Sequence, residues 1–303
     1  MKPRALLPAL LALSYSCSEV EPKGWLVDRM RVLGARTEAL ADPTRASLDP
    51  GERGTVTWLV VTPDAPPRLS WSFAACHPPE GYYANPRCTG PVLASGAGTS
   101  DGELVRMDLE MPGLAATGEV PELLVLGAFC THGTVALDAF TFNATCSGGG
   151  EALLATTRVR LGTSGINRNP MIADDAIRLD DIPLPPAKFG VSVGPCTGGP
   201  DSPFVQAGAG TKILVRLDEA AREPAEEGRE GLTLTHVVTS GELGRQYSSI
   251  EPDMAAPAQV AVELTASGPR PGEAPARLTR LFFVLRDSRG AMSFAVRSIC
   301  VRP

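Results

Sequence analysis

The chain predicts an all-β protein of two tandem antiparallel β-sandwiches, and three observations carry that prediction. Apolar residues recur at every second position in short runs, the period of a half-buried strand. Glycine and proline, 31 and 28 residues, are spread through the chain and punctuate those runs. A length of 303 residues sets a soft prior of about two domains, and 43% hydrophobic residues can fill two ordinary cores. The net charge of −6 argues against a nucleic-acid partner, because binding to phosphate backbones needs clustered positive charge. Aromatic residues are only 5%, which weakens any reading built on stacked sugars or bases.

At the start, Lys2 and Arg4 precede an apolar run from Ala5 to Leu13, and Ser14-Tyr15-Ser16-Cys17 forms an exit of mostly small residues. That order is the plan of a secretory signal over residues 1–17. The apolar run is about half the roughly 20 residues a membrane-spanning helix needs, and no later stretch approaches that length. Cys17 at the cut point resembles the lipidated cysteine of bacterial lipoproteins, with Leu13 four positions before it. The resemblance implies an acylated Cys17 and a chain anchored to a membrane without spanning it. It places the protein in the cell envelope, at the outer membrane. Ser14 and Ser16 also fit the small-x-small pattern of an ordinary signal peptidase site, so a secreted or periplasmic protein stays open as the second reading.

Residues 18–28, polar from Ser18 to Gly24, read as a tether. The first sandwich is expected over residues 29–165. Arg29 to Leu40 forms a first extended segment, and Pro50-Gly51-Glu52 ends the turn that follows. Thr55 to Val61 places Val56, Trp58 and Val60 on one side. Arg68 to Ala75 sets Leu69, Trp71 and Phe73 against Arg68, Ser70 and Ser72. His77 to Ser100 reads as irregular. Leu104 to Glu110 alternates again, Leu123 to Phe129 is apolar on both sides as in a central strand, and Glu151 to Leu161 closes the unit before Gly162. That count of six or seven strands is the one expected of a sandwich.

The second sandwich is expected over residues 166–303, after a boundary at Ile166 to Pro186 that carries Asn169-Pro170, two Asp pairs and Pro183-Leu184-Pro185-Pro186. Part of that boundary can pair as a first strand. Ile213, Val215 and Leu217 alternate, Glu219 to Arg229 is a charged excursion with room for a helical turn, and Leu232 to Val238 alternates again. Val260, Val262 and Leu264 give a further strand. Arg277 to Arg286 and Ala291 to Val301 close the domain as a hairpin across Asp287-Ser288-Arg289-Gly290, where Gly290 suits a left-handed position.

Three short motifs add a family likeness. Phe283 to Gly290 resembles the V-x-D-x-x-G ending of bacterial immunoglobulin-like and PKD-like domains, with Leu285 in the valine place. Pro50-Gly51-Glu52 before Thr55-Val56-Thr57 resembles their P-G-x-x-V-T entry, with two extra residues. Asn167 to Ile172 resembles the N-x-x-P-x-I opening of a following repeat. The resemblance implies two immunoglobulin-like sandwiches and a role in extracellular adhesion, ligand binding or spacing. It supplies no catalytic residues.

The seven cysteines divide by parity once Cys17 is assigned to lipid. Cys76, Cys88, Cys130, Cys146, Cys196 and Cys300 remain, an even set that points to disulfides in an exported protein. Sequence leaves their connectivity open. Locality favours Cys76–Cys88 and Cys130–Cys146, and Cys196–Cys300 then brackets the last domain.

Other chemistry is sparse. His77 and His132 sit beside cysteines, and thiolate with imidazole suits zinc, but paired-cysteine ligand spacing is absent and export favours oxidised thiols. His236 lies on the Leu232, Leu234 and Val238 face and reads as a partly buried, hydrogen-bonded structural residue. Asp174-Asp175 and Asp180-Asp181 could offer oxygens to calcium, which wants roughly six to eight; a solvated acidic linker is the simpler reading. No G-x-S-x-G surrounds a serine, and Gly148-Gly149-Gly150 lacks the Lys-Ser/Thr of a phosphate loop. Trp58, Trp71 and Phe73 read as core. No cofactor, metal or catalytic residue is expected.

These readings converge on a non-enzymatic binding or scaffold module of the cell envelope. Its recognition loops would be the segments tied by Cys76–Cys88 and Cys130–Cys146, and its ligand an envelope protein or polysaccharide. The alternative is a secreted accessory or carbohydrate-binding protein, for which Tyr82-Tyr83 is the aromatic pair on offer.

Overall fold

The computed structural model describes residues 23–64, 68–79, 86–111, 122–160, 166–191, 194–225 and 228–303. The expected signal with Cys17, the Tyr82-Tyr83 pair and the break at Gly162 lie outside them. The described chain is all-β and folds as two tandem immunoglobulin-like sandwiches, antiparallel apart from a short parallel edge pairing at Phe204–Gln206 in the second.

The first sandwich contains β1 (Arg31–Ala39), β2 (Arg53–Val61), β3 (Arg68–Cys76), β4 (Val92–Asp101), β5 (Leu104–Glu110), β6 (Glu122–Cys130), the hairpin of β7 (Val135–Asp138) and β8 (Asn143–Cys146), and β9 (Leu153–Arg160). One sheet has the order β1-β2-β5 and faces a second of order β4-β3-β6-β9. Alternation explains the core between them. Val56, Trp58 and Val60 point inward from β2, Val105, Met107 and Leu109 from β5, and Leu69 and Phe73 from β3. The Trp58 ring meets Phe129 edge-on at 5.7 Å, an arrangement that adds to its area burial.

The expected irregular stretch from His77 to Ser100 is corrected in its second half, where β4 forms. Its sequence lacks the large apolar residues that advertise a strand. Small residues are what the position needs, because a Cβ at Gly96 or Gly98 would come within 2.7 Å of the Phe73 and Trp71 rings.

The second sandwich runs through β10 (Ile177–Leu179), β11 (Ile182–Pro183), β12 (Phe204–Gln206), β13 (Gly210–Leu217), β14 (Pro224–Ala225), β15 (Gly228–Arg229), β16 (Leu232–Val238), β17 (Glu242–Leu243), β18 (Tyr247–Ile250), β19 (Ala258–Thr265), β20 (Arg277–Asp287) and β21 (Met292–Arg302). Its sheets have the orders β11-β10-β13-β19-β17 and β12-β21-β20-β16-β18. The charged excursion carries a 3-10 turn at Glu219–Ala221. The β20–β21 hairpin closes on Asp287, whose Oδ1 accepts the backbone N–H groups of Arg289 and Ala291, with Gly290 at φ 96°.

Two sequence expectations change here. The described end of the expected tether, residues 23–28, is docked on the second sandwich. Val27 N–H donates to Val238 O and Val238 N–H to Trp25 O, while Trp25 and Leu26 pack on that sandwich's core. The cause is its apolar Trp25-Leu26-Val27, which a polar tether would not carry. Asp180 and Asp181, weighed as calcium oxygens, form the two-residue turn between β10 and β11 with φ of 46° and 69°. Both residues in the left-handed region make it a hairpin turn, which Asp tolerates better than most residues.

The sandwiches also share a third apolar cluster. Leu59 and Val61, on the outward face of β2, meet Val237, Phe282, Val284, Met292 and Val296 from the outward face of the β21-β20-β16 sheet. Gly34 permits the approach: a Cβ there would fall 2.2 Å from Met292 Sδ. Beside the cluster, Arg280 and Glu103 form an ion pair in which each side chain is 1% exposed. Asn169 joins the two units from the linker, donating from Nδ2 to Thr37 O and accepting Met292 N–H at Oδ1.

Candidate binding groove

The structure pairs Cys76–Cys88, Cys130–Cys146 and Cys196–Cys300, with Cα–Cα separations of 5.8, 5.9 and 5.9 Å. His77 and His132 therefore stand beside oxidised sulfurs, and His132 Nδ1 lies 2.9 Å from Thr131 Oγ1. Among the described residues no group of three or more His, Cys, Asp or Glu is placed to hold a metal. No helix among them is long and apolar enough to cross a membrane.

The segment stapled by Cys130–Cys146 packs more than it displays; most of the Cys76–Cys88 segment, residues 80–85, lies outside the described residues. The β7–β8 hairpin lies over the outer face of the β3–β6 pair, where Leu137, Ala139 and Phe142 meet Cys76, Cys88, Leu124 and Leu126. Val135 N–H donates to Ser70 Oγ, and Cys88 N–H to Ala139 O. Phe140 at the hairpin tip stays exposed.

His236 is fully buried, beyond the partial burial that its position on the Leu232, Leu234 and Val238 face implies. Its Nε2 lies 2.9 Å from Ser248 Oγ, and its ring meets Phe283 at 5.9 Å. Burial, with a smaller contribution from the Arg245 charge, lowers its pKa from 6.5 to about 4. The unfolded chain thus binds the proton more readily between those values. Stability from the neutral ring is complete above pH 6.5, falls as pH drops through the window, and is gone below pH 4. Urea unfolding at pH 7 and pH 4.5 is expected to show a loss in the native chain exceeding that of His236→Leu by roughly 2–3 kcal/mol. Equal losses would mean that the ring is charged in the fold.

A concavity lies where the first sandwich stands open between β1 and β9. It holds about 960 Å³, with Trp58 in its lining, residues 31–35 on one wall, residues 151–158 on the other, and the Arg286–Gly290 turn of the second sandwich at its end. Sequence reasoning did not find it, because no motif marks the side of a sandwich. The signals present were the small and polar residues Ala155, Thr156 and Thr157, which leave β9 half-buried along most of its length.

The two walls differ in their free backbone. Along β1, Arg286 Nη2 donates to Leu33 O, Asn169 Nδ2 to Thr37 O, and Ala39 N–H to Arg45 O. Along β9, Arg160 O accepts Leu48 N–H, so the Arg160 backbone faces away from β6. Antiparallel pairing alternates, so Leu154 and Thr156 also point their N–H and C=O outward, toward the groove side.

Charge collects at the same place. Arg29 is exposed, Arg31 gives Nη1 to the carbonyls of Gly24 and Leu26, and Arg286 gives Nη2 to Leu33 O. None of these three has a carboxylate partner among the described residues. Burial lowers the Arg286 pKa, which marks a guanidinium poorly compensated by its surroundings. Asp287 is turned into its own loop, leaving Glu151 as the opposing charge among the lining residues.

No family model and no curated protein matches the chain. Among solved structures, red sea bream transglutaminase is similar at 11% identity over 91% of this chain and 32% of that one, with a TM-score of 0.26. A Salmonella alpha-2-macroglobulin is similar at 10% over 91% and 16%, with a TM-score of 0.24. The chain spans a third or less of the length of these proteins, and likeness at this level carries nothing about activity. The fold rests on the strand order and sheet pairing of the described residues alone.

Proposed function

We propose that this chain is a non-enzymatic binding or scaffold module of the cell envelope, held to a membrane by lipid at Cys17. The observation that carries the binding role is the groove between β1 and β9, which has a free strand edge on one wall and uncompensated arginines at its mouth. The packed β7–β8 hairpin is less suited to recognition than this groove. The apolar contact and ion pair between the sandwiches hold the Arg286 turn at the groove's end, so the two units present one surface. Three disulfides suit an oxidising compartment. Capture from envelope extract by the immobilised mature chain, beside Arg29→Gln/Arg286→Gln, tests the reading. Components retained by the parent and lost by the variant are expected; identical capture by both would sink the groove as the binding site. Intact mass tests the anchor: a mature chain starting at Cys17 without acyl mass would make the protein secreted.

A further inference from the structure

Edge strands in natural proteins are usually short, charged, bulged or covered, because open N–H and C=O groups recruit another strand. β9 has eight residues, no proline and no bulge in its pairing with β6. Its Leu154 and Thr156 backbone groups have no partner among the described residues, whereas the facing edge of β1 is engaged at Leu33, Thr37 and Ala39. Leu153 and Ala155 turn their side chains partly onto the core beside the opening. Resting on the binding-module reading above, we propose that the groove accepts an acidic polypeptide segment in extended conformation, which adds to β9 as a further strand. Its main chain pairs with Leu154 and Thr156. Alternate apolar side chains continue the inward face begun by Leu153 and Ala155, and the intervening carboxylates lie within reach of Arg29, Arg31 and Arg286. Main-chain pairing supplies affinity in such complexes and alternate side chains supply specificity. A glycan is the less suitable occupant: Trp58, the aromatic residue in the lining, is 1% exposed and offers no stacking platform.

The probe is a synthetic ten-residue peptide of alternating valine and glutamate, added to the full mature chain. Binding is expected to weaken with salt and to slow hydrogen exchange at the Leu154 and Thr156 amides. Arg29→Gln/Arg286→Gln is expected to weaken binding at least tenfold, with an unchanged melting temperature as the folding control; Arg29→Gln alone gives a surface variant if the pair unfolds. N-methylation of alternate peptide amides is expected to abolish binding in one of its two registers. Equal binding of a valine–lysine peptide overturns the proposal. So does binding without protection at Leu154 and Thr156, or binding of polygalacturonate in preference to the peptide. Those results leave the binding-module reading standing, since it falls only when the groove variant captures the same envelope components as the parent.

Discussion

Replacing Glu103 by alanine is expected to destabilise the protein by about 3–5 kcal/mol, the usual cost of leaving one member of a buried ion pair alone. Glu103 occupies the turn between β4 and β5, and its carboxylate meets Arg280 of β20 through both terminal guanidinium nitrogens, one at 2.8 Å. Glu103 Oε2 also accepts Gly190 N–H, and Arg280 packs over the Phe282 ring at 4.9 Å. With both side chains 1% exposed, water cannot replace the lost partner. The paired change Glu103→Leu/Arg280→Met is expected to recover most of the loss, because desolvation of two charges offsets much of their attraction. Urea unfolding of the two single variants and the double variant gives the coupling directly. A small loss for Glu103→Ala would mean that the sandwich interface opens to water.

Removing Cys196–Cys300 is expected to cost about 4–5 kcal/mol by the chain-entropy account, more than either other disulfide. It closes a sequence separation of 104 residues, against 12 for Cys76–Cys88 and 16 for Cys130–Cys146. The short loops restrict the unfolded chain by nearer 3 kcal/mol each. Cys300 lies on β21, which pairs in parallel with β12 through Phe204 and Cys300. The bond thus ties the segment between β11 and β12 to the last strand. Paired Cys→Ala variants, compared in equilibrium unfolding, test the ranking. If Cys196→Ala/Cys300→Ala costs no more than the short-loop variants, loop closure is not the source of the stabilisation.

The strands most legible in sequence have one wet face and one dry face. Val105, Met107 and Leu109 alternate with Arg106, Asp108 and Glu110, and the burial follows that alternation residue by residue. β4 was not legible, because its small residues serve the rings of Trp71 and Phe73 and carry no apolar signal of their own. β18 is only four residues long and is held by its pairing with β16. In any single segment the groove leaves no more than the small and polar run Ala155-Thr156-Thr157 of β9. The groove itself arises from β1 and β9, far apart in sequence, and from a turn of the other sandwich.

By itself the sequence determined the all-β class and the two-unit division of strand patterns, because period-two burial and short loops are local properties; locality favoured the two short cysteine pairs, and the structure decided them. It also put His236 on the inward face with Leu232, Leu234 and Val238, as a partly buried ring; the structure buries it fully. Tertiary structure alone decided how the two sandwiches meet. Trp58-Leu59-Val60-Val61 and Leu281-Phe282-Phe283-Val284-Leu285 are unbroken apolar runs, buried on both faces. Such a run says that both faces of a strand are covered, but not by what. The covering element is the other sandwich, and with that packing come the buried Arg280–Glu103 pair and the Arg286 turn at the end of the β9 groove.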